Sequence, residues 1–192
     1  SLRANNIAHE KGYACEFYLD AKEKKYMDEC GAANFFGIKN NTYVTPKSTS
    51  ILPSITNKSL MQLAEDLGMK VERRQIPEDE LDTFEEAGAC GTAAVISPIS
   101  YIDDLDTGKR YNFGDKPGPI SKHLYDTLRG IQYGTIEDKH GWTTVVIEWH
   151  SLFVKVKELS YVQELKELKE LKELKELKEL KELRQQSFWR IF

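Results

Sequence analysis

The sequence predicts an α/β (α+β) chain built on a mixed sheet, followed by a helical appendage of a different kind. Three observations carry this. Up to Glu148 the apolar positions switch repeatedly between alternation and helical spacing. Gly, Pro and Asn punctuate each switch. From Glu164 the composition collapses into one repeated triplet, Glu-Leu-Lys, written seven times with Arg184 ending the last. These changes divide the chain into a domain over 1–148, a junction over 149–163, and a repeat helix with an aromatic end over 164–192.

In chain order, His9 lies in a polar N-terminal helix. Cys15–Asp20 alternates as a strand and Lys22–Lys25 is a charged turn. Tyr26–Cys30 leads into a strand over Asn34–Ile38. Asn40-Asn41 marks a two-residue hairpin turn, and Thr42–Thr45 returns from it. Leu60, Leu63, Ala64 and Leu67 recur at helical spacing, so Asn57–Leu67 is a helix with Thr56 as its N-cap and Gly68 as its stop. Lys70–Arg74 is a strand. Pro77 opens a short helix that runs through Glu86. Thr92–Ile96 is a buried strand, Tyr101–Leu105 another, Ile120–Tyr133 the last long helix, and Thr143–Glu148 a hydrophobic strand.

The leucines of the tail step by three, which turns an α-helix by about 300° each time, so they circle the cylinder without forming a heptad seam. The repeat's acidic and basic residues cancel, so the net charge of −4 belongs to the rest of the chain. A chain with 30% charged and 40% hydrophobic residues and an acidic balance is a globular one that does not seek phosphate backbones, so no nucleic-acid partner is expected. Its apolar runs are too short to span a membrane, and none is expected as a partner. Cys15, Cys30 and Cys90 form no CxxC pair and are expected to be buried thiols of a reducing cytoplasm. His9, His123, His140 and His150 share no metal-ligand spacing, so no metal is expected.

Three short stretches stand out: Glu29-Cys-Gly-Ala-Ala-Asn34, Leu52-Pro-Ser-Ile-Thr56 and Gly91-Thr-Ala-Ala94. Each has an ordinary reading. Glu29 alone is a surface charge, the second stretch alone is a capped helix start, and the third alone is a tight turn into a strand. Each also has a functional reading, since a helix start offers free N–H groups to a phosphate and a glycine turn allows close approach to a ligand.

Together and in this order, the three resemble the branched-chain aminotransferases among the fold-type IV pyridoxal-phosphate enzymes. That family has an E-x-x-x-x-N-x-F pattern, then L-P-G-[IV]-T, then S-G-T-A, then Gly-Pro at the last long helix. Here these read Glu29…Asn34-Phe35-Phe36, Leu52-Pro53-Ser54-Ile55-Thr56, Cys90-Gly91-Thr92-Ala93 and Gly118-Pro119. The Gly130-Ile-Gln-Tyr-Gly134 ending with Trp142-Thr143 is also similar to the branched-chain subgroup. The resemblance spans residues 1–148 and stops short of the repeat.

The resemblance implies a pyridoxal 5'-phosphate cofactor, a homodimer in the cytoplasm, and transfer of an amino group between leucine, isoleucine or valine and 2-oxoglutarate. Residue by residue, Glu29 matches the acid facing the pyridine nitrogen. Ile55 and Thr56 match the backbone and hydroxyl that hold the cofactor phosphate, and Thr92 matches a second phosphate contact. Thr92 and Ala93 match the turn that receives the substrate carboxylate. Ser54 stands where the family has glycine. The family's thiol switch, a CxxC found after Thr-Ala in some members, is replaced by Ala94 and Ser97. The Schiff-base lysine of the family falls upstream of Ser1, so no catalytic residue is expected in this chain, and a fragment of this kind is expected to be inactive alone. Two other readings stay open. One is a different fold-type IV enzyme, a D-amino-acid aminotransferase or aminodeoxychorismate lyase. The other is a catalytically silent fragment with an interaction tail.

Overall fold

The computed structural model describes residues 2–144. The chain divides into two units, Ser1–His140 and Gly141–Phe192. Thr143 and Thr144 carry no strand. The remainder of the strand expected there, His150 and the Glu-Leu-Lys repeat lie outside the described residues.

The first unit is a seven-stranded mixed sheet with helices and a small two-stranded ribbon. Helix α1 spans Leu2–Glu10 and carries His9. Strand β1 is Phe17–Leu19, shorter than expected, because Asp20 folds its carboxylate back onto the amides of Glu23, Lys25 and Tyr26 and fixes the turn there. Strands β2 (Met27–Cys30), β3 (Ala33–Lys39) and β4 (Thr42–Pro46) follow as antiparallel neighbours. Asn40 and Asn41 both take positive φ, 46° and 54°, which is what a two-residue hairpin turn of this hand needs. Helix α2 (Ile55–Asp66) crosses from β4 to β5 (Lys70–Arg74), and these two strands run parallel. Gly68, at φ 73°, ends the helix as expected.

Two corrections fall in the next segment. The short helix after Pro77 is a 3-10 turn over Glu78–Thr83, and Glu86 belongs to strand β6 (Glu86–Gly91). Thr92–Ala94 is a turn, so the expected strand over Thr92–Ile96 starts only at Val95 and runs as β7 (Val95–Pro98). Glu86-Ala-Gly-Ala-Cys-Gly91 has no β-branched residue to announce a strand. It keeps a small residue at Gly88 because the Phe36 ring fills that space: a Cβ there would fall 2.5 Å from the ring. Strands β8 (Tyr101–Asp103) and β9 (Arg110–Asn112) form the separate ribbon, and helix α3 spans Pro119–Gln132.

The central strands are buried on both faces, with alternate side chains feeding two cores. On one face Phe36, Ile38 and Tyr43 pack with Leu60, Leu63, Leu124 and Leu128 of α2 and α3. On the other Phe35 and Val44 pack with Met27, Ile76, Leu81 and Phe84. Each fully buried side chain of this size contributes about 1.5–3 kcal/mol relative to exposure.

Candidate cofactor site

The strand register aligns one row of residues across four strands: Glu29 opposite Asn34, Asn34 opposite Cys90, and Cys90 opposite Ile96. Glu29, the start of α2 and the Gly91–Ala94 turn are thereby brought to the same end of the sheet. The loop before α2 is tied to this row by its backbone. Leu52 donates its amide to Glu29 Oε1 at 2.8 Å, and its carbonyl accepts from Asn34 Nδ2 at 3.1 Å. A cross-strand carboxylate and amide thus grip both faces of one peptide residue, which fixes the following Pro53-Ser54-Ile55-Thr56.

The start of α2 differs from expectation by two residues. Ser54, with φ −74° and ψ 131°, is the N-cap, and its Oγ accepts from the Asn57 amide at 3.1 Å. Thr56 therefore lies inside the first turn. Ser54 is extended at negative φ, so nothing in its backbone requires the glycine of the related motif. The helix start is anchored from beneath by Asn57, which is buried. Asn57 Oδ1 accepts from Tyr43 Oη at 2.8 Å, its Nδ2 donates to Thr45 Oγ1 at 2.9 Å, and Thr45 donates onward to the Phe35 carbonyl at 2.8 Å. Burial drives the Tyr43 hydroxyl well above its ordinary pKa, so it stays a proton donor to Asn57.

What this arrangement offers a ligand is specific. Ile55 and Thr56 occupy the first two helical positions, where amides have no intrahelical acceptor and the helix dipole favours an anion. Among the described residues, nothing bonds Glu29 Oε2 or the Thr92 hydroxyl. Thr92 and Ala93 are exposed at the tip of the β6–β7 turn. The turn closes on Val95 at φ 62°, a conformation that costs a β-branched residue about 1–2 kcal/mol. Strain of this kind persists only where surrounding structure imposes it.

One residue that sets the start of α3 was not legible beforehand, and it explains the Gly118-Pro119 motif. Glu86 is buried, and its two oxygens accept from the amides of Ile120 at 3.0 Å and Ser121 at 2.7 Å, capping α3 from a distant strand. Gly118 precedes that helix, and a Cβ there would overlap the Glu86 side chain at 2.0 Å. The Gly118-Pro119 pair is thus shaped by Glu86. A helix opening on glycine and proline without a side-chain cap was the available signal that an outside acceptor must exist. His9 and His123 are exposed, and His140 Nε2 lies 2.6 Å from the Asp66 carboxylate. The cysteines are not all buried: Cys30 and Cys90 are, but Cys15 is exposed.

The mixed sheet thus presents a carboxylate, a helix start and a glycine turn at one end. Residues 2–102 match the Amino-transferase class IV family, and the chain belongs to that family. It is 52% identical over 144 residues to the branched-chain-amino-acid aminotransferase of Helicobacter pylori, covering 74% of this chain and 42% of that one. It is 47% identical over 153 residues to the enzyme of the same name from Haemophilus influenzae, covering 76% of this chain and 45% of that one. Among solved structures, the Escherichia coli branched-chain amino acid aminotransferase superposes with a TM-score of 0.65 at 30% identity, over 77% of this chain and 48% of that one. The branched-chain amino acid aminotransferase from Thermobaculum terrenum, in its PLP-bound holo-form, gives 0.59 at 32% identity, over 69% and 42%. The chain spans less than half the length of these relatives.

Proposed function

We propose that this chain is the cofactor-binding part of a branched-chain amino-acid aminotransferase, which exchanges the amino group between leucine, isoleucine or valine and 2-oxoglutarate. The observation that carries the reading is the grip of Glu29 and Asn34 on Leu52, which sets a carboxylate beside a helix start able to take a phosphate. The donor set fits pyridoxal 5'-phosphate, an anionic group joined to a basic ring. Bound there, the ring serves as the electron sink for proton removal at the amino-acid Cα.

Glu29, through its unpaired oxygen, holds a proton on the ring nitrogen. The Ile55 and Thr56 amides and the Thr56 hydroxyl bind the phosphate, and Thr92 adds a second hydroxyl. The Thr92 and Ala93 amides orient the substrate carboxylate. None of the chain's own lysines is assigned the cofactor link, since the resemblance puts that residue upstream of Ser1. We assign residues 1–148 to the large domain, 149–163 to a junction and 164–192 to an appended Glu-Leu-Lys repeat. The whole enzyme is a cytoplasmic homodimer.

Binding of pyridoxal phosphate, followed by its own absorbance, tests the site in this chain. Thr56→Ala and Thr92→Ala should each weaken binding about tenfold, the equivalent of one lost hydrogen bond to a charged group. Borohydride should fix no cofactor to a lysine of this chain. In a chain extended upstream to include the lysine, Glu29→Gln should slow turnover by roughly 10²-fold, about 3 kcal/mol of barrier. Affinity unmoved by both threonine variants, together with near-normal turnover of Glu29→Gln, would refute the assignment.

A further inference from the structure

We propose that Cys15 and Cys30 are a reversible dithiol–disulfide pair, a redox-modification site at the sheet edge beside Glu29. Their Sγ atoms lie 3.1 Å apart. A disulfide needs about 2.05 Å, so closure asks for a shift of about 1 Å. The backbone already holds the two segments together. Phe17 is the register partner of Cys30, and Gly31 donates its amide to the Glu16 carbonyl at 2.9 Å. The approach is close: a Cβ on Gly31 would stand 3.4 Å from the Cys15 Cβ.

The two thiols are unequal in the way an exchange reaction needs. Cys15 is exposed and Cys30 is buried at the end of β2. Both border a cleft of about 650 Å³ between the end of α1, β1–β2 and the β7–β8 connection, with Ala8, Tyr13 and Tyr101 among its walls. A small-molecule disulfide can therefore reach Cys15. The hydrogen bond shared with Cys30 lowers the Cys15 thiol to about 7, against partial opposition from burial and from the Glu16 carboxylate. The same hydrogen bond, followed by burial, raises Cys30. Cys15 is therefore the more readily ionised and more accessible of the two, the attacking thiol, and Cys30 the resolving one.

The chemistry balances with a low-molecular-weight disulfide such as oxidised glutathione. The Cys15 thiolate attacks one reagent sulfur, the reagent S–S bond breaks, and one glutathione thiolate leaves and takes up a proton. Cys30 then loses its proton and attacks Cys15 Sγ. The mixed disulfide breaks and the second glutathione leaves as a thiol. Two protein thiols are oxidised by two electrons and one reagent disulfide is reduced to two thiols. Cys90 supplies an internal control, since burial raises it to about 12 and it lies within the core.

The test uses the chain itself. Reduced protein is equilibrated with glutathione buffers of graded oxidation, acid-quenched, alkylated, digested and analysed by mass spectrometry. The expected product is one cross-linked peptide pair, Cys15 to Cys30, reversed by dithiothreitol, with Cys90 alkylated throughout. Cys30→Ser should instead accumulate a glutathione adduct on Cys15. In short pulses of alkylating agent at neutral pH, Cys15 should react at least tenfold faster than Cys30. The proposal fails if the wild-type chain shows no Cys15–Cys30 peptide at any ratio, or if Cys15 stops at the glutathione adduct with Cys30 present. Because the wild-type chain is decisive by itself, a variant that misfolds does not blur the outcome.

Discussion

Replacing Glu86 by Gln probes how a strand holds the start of a helix. The carboxylate is buried and accepts two amides of α3, at 3.0 and 2.7 Å. An amide side chain keeps one acceptor and turns an N–H toward the other donor. The loss is one charge-assisted bond plus the interaction of a negative charge with the helix start, together about 2–4 kcal/mol. For a chain of this size that corresponds to a fall in thermal midpoint of roughly 5–15 °C. Gly118 sharpens the test. Its φ of −66° is open to any residue, so Gly118→Ala is harmful only through the 2.0 Å overlap of its Cβ with Glu86. That overpacking should cost about 1–3 kcal/mol in the wild-type background and little in Glu86→Ala, giving a coupling of about 1 kcal/mol or more. Thermal unfolding of the four variants by circular dichroism measures it. Equal costs of Gly118→Ala in both backgrounds, or a Glu86→Gln midpoint unchanged, would refute the account.

Asn57→Ala should lower stability by about 2–4 kcal/mol, because it strands the buried Tyr43 hydroxyl and removes a donor to Thr45; urea unfolding reads the loss and Asn57→Asp should not restore it. Val95→Gly should lower stability by about 1–3 kcal/mol, because losing a fully buried side chain and gaining glycine's freedom in the unfolded chain outweigh the relief of the φ of 62°; a midpoint unchanged or raised in thermal unfolding would show that the strain dominates. The amides of Tyr26, Lys25 and Glu23 hold the Asp20 carboxylate down to about 2, against an ordinary 3.8. A depressed carboxylate stabilises above its unfolded value and loses that contribution as pH falls through the folded one. Wild type should therefore lose more stability than Asp20→Asn between about pH 4 and pH 2, and parallel acid titrations of the midpoint check it.

Local signals carried much of the fold. Lys70–Arg74 is bounded in the structure as its residues suggest, and Asn40-Asn41 and Gly68 took the positive φ that marks a turn and a helix end. What stayed hidden was set at long range. Strand β6 has the composition of a loop and keeps a small residue at Gly88 because the Phe36 ring of a distant strand fills that space, just as the Glu86 carboxylate fills the space beside Gly118. The same holds at the site. The three motifs were visible in order, but the Glu29–Leu52–Asn34 grip joins residues whose pairing depends on a loop path. The adjacency of Cys15 and Cys30 depends on the β1–β2 register, which no spacing in the sequence states.

The row from Glu29 through Asn34 and Cys90 to Ile96 also sets when the site can form. The β2–β3 and β3–β4 pairings close over a few residues each, whereas Asn34 meets Cys90 only after more than fifty intervening residues are brought home. Loop closure of that length is among the slower and later steps of assembly. On a ribosome the hairpins carrying Glu29 and Asn34 emerge first and wait for β6. The turn bearing Thr92 reaches them last, so binding competence should appear only at the end of folding. A stopped-flow experiment would then see the hairpin signals precede cofactor binding, and a chain released before Gly91 would hold half of the site without the power to use it.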